Sequence, residues 1–281
     1  MNSINSAIVE AAKMLSAAGV DQPQTEANLL LADLLGGDRA FLIAHSADDL
    51  SPGQKEEFQS RVERRAAGEP QQYITGHQEF FRLDFEVTPD VLIPRPETEL
   101  IVEAALEFAK HGAPYFADIG TGSGCLAISL LNELPEAKAV AVDTSSAALK
   151  VAQRNAEHLG AIDRLRLVKS DGLAAISSKE KFDLIVSNPP YVSDEEMKSL
   201  QREVRREPAS ALAGGVDGFD VIRRWLNDAP RFLRTGGHFI FEIGFGQGQT
   251  VRELIDQNKW ELIDVRHDLV NIPRTVILRR R

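Results

Sequence analysis

The 281-residue chain has a single cysteine, Cys125, so no intrachain disulfide can form. That fits a reducing compartment. It has no run of 18 or more apolar residues and therefore no candidate transmembrane helix. Its six histidines are scattered, and no Cys/His cluster has metal-ligand spacing, so neither a structural nor a catalytic metal is expected. The stretch MNSINSAIVEAAK lacks a basic start followed by an apolar core. No signal peptide is expected, and the expected compartment is the cytoplasm. Positive charge is also scarce. The chain carries 32 Lys+Arg against 42 Asp+Glu, a net charge of −10. Proteins that live on nucleic acid usually present a basic face, so direct nucleic-acid binding is not expected and a basic partner fits better. Residues 1–90 hold most of the deficit, with 7 Lys+Arg against 15 Asp+Glu.

The remaining pattern divides into three. Residues 1–73 read as a helical bundle. Ile4, Ile8, Ala11, Ala12 and Leu15 recur at helical spacing and stop at Gly19. Ala27, Leu30, Leu31, Leu34 and Leu35 form a second stripe, ended by Gly36-Gly37. Ser51-Pro52 reads as an N-cap with proline at the first helical position. Residues 74–95 change period: Phe81, Leu83, Phe85 and Val87 alternate with polar residues, and Val91-Leu92-Ile93 follows a Thr88-Pro89-Asp90 turn. This predicts a β-hairpin linker. From residue 96 to 281, strands alternate with helices. The strands are predicted at 115–119, 138–142, 164–168, 182–187, 238–243, 261–267 and 274–278, with a helix over 145–159. Such alternation implies a mostly parallel, doubly wound α/β sheet, which binds ligands at the carboxyl ends of its strands. His238 falls within one of these strands and has no partner that would make it catalytic.

The first strand of that region opens into a glycine loop, FADIGTGSG. Gly120, Gly122 and Gly124, with Thr121 and Ser123 between them, let backbone approach a ligand closely. The dinucleotide fingerprint would need glycine where Cys125 stands, and the phosphate loop would need Gly-Lys-Ser/Thr. Neither is present, and the loop alone could be a tight turn. Cys125 reads as a residue packed at a helix start. The second strand ends at Asp143, where doubly wound folds place an acid on ribose hydroxyls. The third ends at Asp171-Gly172, where an acid could accept from an adenine amino group, or cap a turn. Adenosine without a diphosphate points to S-adenosylmethionine as cofactor, with S-adenosylhomocysteine as its product.

The fourth strand stops abruptly in SNPPY, residues 187–191. Proline cannot extend a ladder, so the strand must end, and Asn-Pro is a common turn start. The residue types also suit a second purpose. A planar nitrogen, such as an amide or an exocyclic base amine, is a poor nucleophile because its lone pair is delocalised. Two acceptors on its N–H bonds favour turning that lone pair out of plane. Asn188 Oδ1 is one such acceptor and the Pro189 carbonyl is the other. Pro190 holds Pro189 extended, and Tyr191 can stack on a planar group. The residues alone thus imply a methyltransferase acting on a planar nitrogen, with Asn188, Pro189 and Tyr191 as the catalytic set.

These motifs resemble those of amino-methylating class I S-adenosylmethionine methyltransferases. YITGHQEFFRLDFEVTPDVLIPRPETELIVE, DIGTGSG, SNPPYV and ALAGGVDGFDVIRRWLNDAPRFLRTGGHFIFEIGFGQG resemble the PrmC/HemK family in particular. The resemblance implies a class I, Rossmann-like methyltransferase domain with a small N-terminal helical substrate-binding bundle. It also implies transfer of a methyl group to the glutamine amide of the Gly-Gly-Gln motif in peptide chain release factors, the expected partners. By the same resemblance, Gly120, Thr121, Gly122, Ser123 and Gly124 border the methionine part of the cofactor. Asp143 takes the ribose, and Asp171 and Gly172 border adenine. Asn188, Pro189, Pro190 and Tyr191 bind the target glutamine, with Asn188 also near the cofactor, and Pro94–Thr98 closes over the site. Two positions depart from the family pattern. Gly172 stands where a bulky aromatic is frequent, and Arg82 where a glycine is. The alternative is a DNA or RNA adenine or cytosine amino-methyltransferase using the same site on a flipped base. The acidic balance and the lack of a basic, aromatic recognition domain weigh against it.

Overall fold

The computed structural model describes residues 3–109 and 114–281. Contacts divide the chain into two units: Met1–His77 with Gln201–Arg206, and Gln78–Leu200 with Glu207–Arg281. The first unit is helical. It comprises α1 (Ile4–Ala17), α2 (Pro23–Leu35), α3 (Arg39–Ala44), α4 (Pro52–Ala66) and α5 (Gln71–Thr75). The apolar stripes read from the sequence form its core, with Leu15, Leu30 and Leu31 fully buried against Phe58 and Val62. Ser51 and Gln54 form a reciprocal capping box at the start of α4, which satisfies two otherwise orphaned donors. Arg65 is buried and bonds Glu26 and Glu203 at 2.9 Å each. Glu203 belongs to the 201–206 segment, so this unit is closed by chain from far along the sequence.

The second unit starts at Gln78, within the hairpin of β1 (His77–Phe80) and β2 (Leu83–Glu86), followed by α6 (Glu99–Phe108). Then come β3 (Tyr115–Ile119), α7 (Cys125–Glu133), β4 (Lys138–Asp143), α8 (Ser146–His158), β5 (Leu165–Lys169) and β6 (Phe182–Ser187). After these follow α9 (Asp220–Asp228), β7 (Leu233–Glu242), α10 (Gly248–Leu254), β8 (Trp260–His267) and β9 (Pro273–Arg280). The seven-stranded sheet has the order β5-β4-β3-β6-β7-β9-β8. Its first five strands are parallel, and β9 runs antiparallel to both β7 and β8. The parallel strands are apolar almost throughout because both faces are covered. Residues of α6, α7 and α8 pack on one face, and residues of α9 and α10 on the other. Strand order reverses between β3 and β6, so the chain after β3 and the chain after β6 leave the sheet side by side. This is where doubly wound folds place a ligand.

The hairpin differs from its prediction in register and extent. Phe81 does not belong to a strand: it and Arg82 form the turn, with φ of 49° and 64°. Both are left-handed, which explains why glycine would be at ease at 82. Residues 91–93 form no strand either, because their donors go elsewhere: Val91 N to Thr88 O, and Ile93 N to the buried Glu207 carboxylate. Residues from Gln78 onward cluster with the sheet. Asn155 of α8 shows how. Its Nδ2 donates to Glu86 O at 3.0 Å and to Ser123 O at 2.9 Å, while its Oδ1 accepts from Glu86 N at 2.8 Å.

Candidate active site

A cavity of about 200 Å³ lies over the carboxyl ends of β3, β4, β5 and β6. Its wall includes Gly120, Gly122, Asp143, Asp171, Gly172, Asn188 and Pro190, each singled out in the sequence. Thr121, Ser123 and Gly124 instead build the loop from behind. Thr121 donates its hydroxyl to the buried Asp118 at 2.6 Å. Gly124 has φ 86°, and a Cβ there would meet Ile128 at 2.8 Å, so a side chain here would be strained and would push Ile128 aside. Gly122, with φ 55°, has open space where a Cβ would stand. Burial raises the Asp118 carboxyl to about 7, against the bond from Thr121.

Asp143 is held by backbone on both carboxylate oxygens. Gly122 N donates to one at 3.0 Å and Ser145 N to the other at 2.8 Å. A carboxylate oxygen can accept more than one bond, so both keep capacity toward the cavity. Asp171 is engaged differently: Arg224 grips it with two bonds of 2.7 Å. Both side chains are about half exposed or more, and such a pair contributes little to stability.

Asn188 stands at the end of β6, and its orientation is decided by a chain of buried groups. Thr98, 1% exposed, donates its hydroxyl to Glu242 at 2.6 Å. With its proton committed, Thr98 Oγ1 can only accept from Asn188, and Asn188 Nδ2 lies 3.0 Å away. The Asn188 amide is therefore pinned with Nδ2 toward Thr98, which leaves Oδ1 as its unclaimed acceptor. Tyr191 donates its hydroxyl to the other Glu242 oxygen at 3.0 Å. Burial raises the Glu242 carboxyl to about 6, outweighing the two hydroxyl donors and the nearby Arg274. Burial and the Glu242 charge push the Tyr191 hydroxyl well above its usual range, so it remains a donor.

The strand exit is clamped from outside. Val192 N donates to Leu212 O and Gly214 N to Val192 O, while Gln247 Nε2 donates to Tyr191 O at 2.9 Å. A Cβ at Gly218 would lie 2.4 Å from Tyr191 O and one at Gly214 2.8 Å from Tyr191 Cα, so the ALAGGVDG stretch contains glycine where it meets the SNPPY backbone. The IPRPETE segment is fixed at both ends by buried acids. Glu207 binds Arg95 and the Ile93 amide, and Glu242 binds Thr98. Sequence reading missed Glu207, Glu242 and Asn155. A charged residue closing the apolar run HFIFEI was the available signal for Glu242. Cys125, though partly exposed as a residue, has its thiol desolvated and pushed up to about 12, which keeps it inert. His238 lies within β7 and stacks on Phe108. Among the described residues, no group of three or more His, Cys, Asp or Glu is placed to hold a metal. No helix among them is long and apolar enough to cross a membrane.

Comparison with known proteins decides the family. Residues 6–76 match the PrmC N-terminal domain and residues 98–216 the methyltransferase small domain. A release factor glutamine methyltransferase of Moorella thermoacetica is 46% identical over 252 residues, covering 89% of each chain. One from Koribacter versatilis is 43% identical over 279 residues, covering 99% of this chain and 98% of its own. The chain belongs to the release factor glutamine methyltransferase family. Solved structures agree on the fold. A Pyrococcus furiosus methyltransferase superposes with a TM-score of 0.53 at 19% identity, over 79% of this chain and 96% of that one. The T. thermophilus 16S rRNA N2 G1207 methyltransferase, solved with AdoMet and guanosine, gives 0.52 at 21% identity over 73% and 50%.

Proposed function

We propose that this chain transfers a methyl group from S-adenosylmethionine to the side-chain amide nitrogen of the glutamine in the Gly-Gly-Gln motif of peptide chain release factors, in the cytoplasm. The observation that carries the reading is the pinned amide of Asn188. Its Oδ1 is held where it can accept an N–H of a planar nitrogen, and the Pro189 carbonyl is the second acceptor. Together they hold both protons of the target amide and favour the pyramidal geometry that frees its lone pair. As the N–CH3 bond forms and the S–CH3 bond breaks, the nitrogen releases one of these protons to solvent. Because Thr98, Glu242 and Tyr191 are already in place, little reorganisation accompanies the reaction.

The cavity suits the cofactor. The Asp143 carboxylate, steadied by two backbone donors, would accept from the ribose hydroxyls. Gly120 and Gly122 would admit the methionine part, and Asp171 and Gly172 would border adenine. When bound, S-adenosylmethionine supplies an electrophilic methyl group on a sulfonium and becomes S-adenosylhomocysteine. The choice of glutamine over a nucleic-acid base rests on family membership, and the acidic balance of the chain is consistent with it.

Methyl transfer from labelled S-adenosylmethionine to a release factor, compared between wild type and Asn188→Ala, tests the central residue. The variant should turn over about 10²-fold more slowly, the loss typical of removing one preorganised group. Its affinity for S-adenosylhomocysteine should change much less. An Asn188→Ala enzyme with wild-type turnover would falsify the mechanism.

A further inference from the structure

The cavity wall contains a buried polar group to which the proposed chemistry gives no task. Trp225, on α9, is 6% exposed and lines the cavity, yet its indole Nε1 has no hydrogen-bond partner. Two glycines locate the ring. A Cβ on Gly172 would stand 3.0 Å from Nε1, and one on Gly120 would stand 3.7 Å from Cη2 at the far end of the indole. The ring thus reaches from the loop after β5 to the loop after β3, across the end of β4 where Asp143 sits. The other tryptophan, Trp260, provides a contrast within the same molecule. It is more buried still, at 1% exposed, but its N–H donates to Leu226 O at 2.9 Å. A buried indole N–H ordinarily finds an acceptor.

We infer that Trp225 binds the nucleoside of the cofactor: its ring forms a wall of the adenine site, and its N–H donates to an acceptor on the bound adenosine. The inference rests on the cofactor proposed above. Adenine offers what this wall lacks, a planar π-face for the ring and ring nitrogens as acceptors for the N–H. At the same end of the cavity, the Asp171 carboxylate already has a cation in Arg224, so the free buried donor there is the indole. Gly172 belongs to the same device. It has φ 56°, where a side chain is strained, and a Cβ in its place would press against the indole at 3.0 Å.

Calorimetric binding of S-adenosylhomocysteine to the wild type, Trp225→Phe and Trp225→Leu tests this. Removing the donor while keeping a ring should weaken binding by about 5–10-fold. Removing the ring as well should weaken it by about 10²-fold, the upper range for base–aromatic stacking. Saturation with S-adenosylhomocysteine should also change the tryptophan emission of the wild type. The same titration of Trp225→Phe, in which only Trp260 emits, should show no change. The losses should recur with 5′-methylthioadenosine, which lacks the amino-acid end. Unchanged affinity in both variants, a silent wild-type emission, or losses confined to S-adenosylhomocysteine would each overturn the role of Trp225 and leave the cofactor reading standing. A wild type that binds no S-adenosylhomocysteine removes both. Should Trp225→Leu fail to fold, the phenylalanine variant and the emission titration still decide the matter.

Discussion

Glu242 controls the site without facing the cavity. As a carboxylate it accepts from Thr98 and Tyr191, and this commits the Thr98 proton and so the Asn188 amide. Once protonated, it can donate to Thr98 instead, and the amide loses its fixed orientation. Its carboxyl is raised to about 6, so the ordered arrangement exists above that pH and is lost as pH falls through it. Turnover should therefore rise with pH through about 6. In Glu242→Gln that limb should flatten and turnover should fall, with binding of S-adenosylhomocysteine little changed. A pH–rate profile of the variant that still shows the limb would assign it to another group. At this scale the sequence disclosed residues that line the cavity better than those behind them. Asn188, Asp143 and the glycines carry recognisable spacing. Glu242, Glu207 and Asn155 act through burial, which spacing does not reveal.

Among the elements, the parallel strands were the most legible. The predicted spans at 115–119 and 182–187 coincide with β3 and β6, because apolar runs covered on both faces leave little ambiguity. The helix predicted over 145–159 proves to be Ser146–His158 with Ser145 as its N-cap. The hairpin was misplaced because alternation continues through Phe81, a residue that the turn takes over, and because a left-handed Arg82 has no sequence signal. The antiparallel pairing of β9 was also hidden, since a mostly parallel sheet had been expected from strand–helix alternation alone. Asn155 joins the hairpin to the glycine loop with three hydrogen bonds. Asn155→Leu would leave the Glu86 amide and two carbonyls without these partners. It should lower the stability of the fold by about 3 kcal/mol, read as a shift in the denaturant midpoint. An unchanged midpoint would mean that the hairpin does not depend on this joint.

For the whole molecule, the sheet is a fold that other methyltransferases share, and residues 6–76 match the PrmC N-terminal domain. The chemistry was legible from the order of glycine loop, strand-end acid and SNPPY. The substrate was not: the same site could receive a flipped base, and only the longer motifs and the relatives point to glutamine. Net charge supports that choice from another direction, with residues 1–90 strongly acidic where a nucleic-acid enzyme would need cations. The most direct test offers three substrates side by side with labelled S-adenosylmethionine: a release factor, its Gly-Gly-Gln variant with glutamine replaced by alanine, and unmethylated DNA. Label on the wild-type factor alone is the predicted result. Label on DNA, or equal label on the factor that lacks the glutamine, would contradict it.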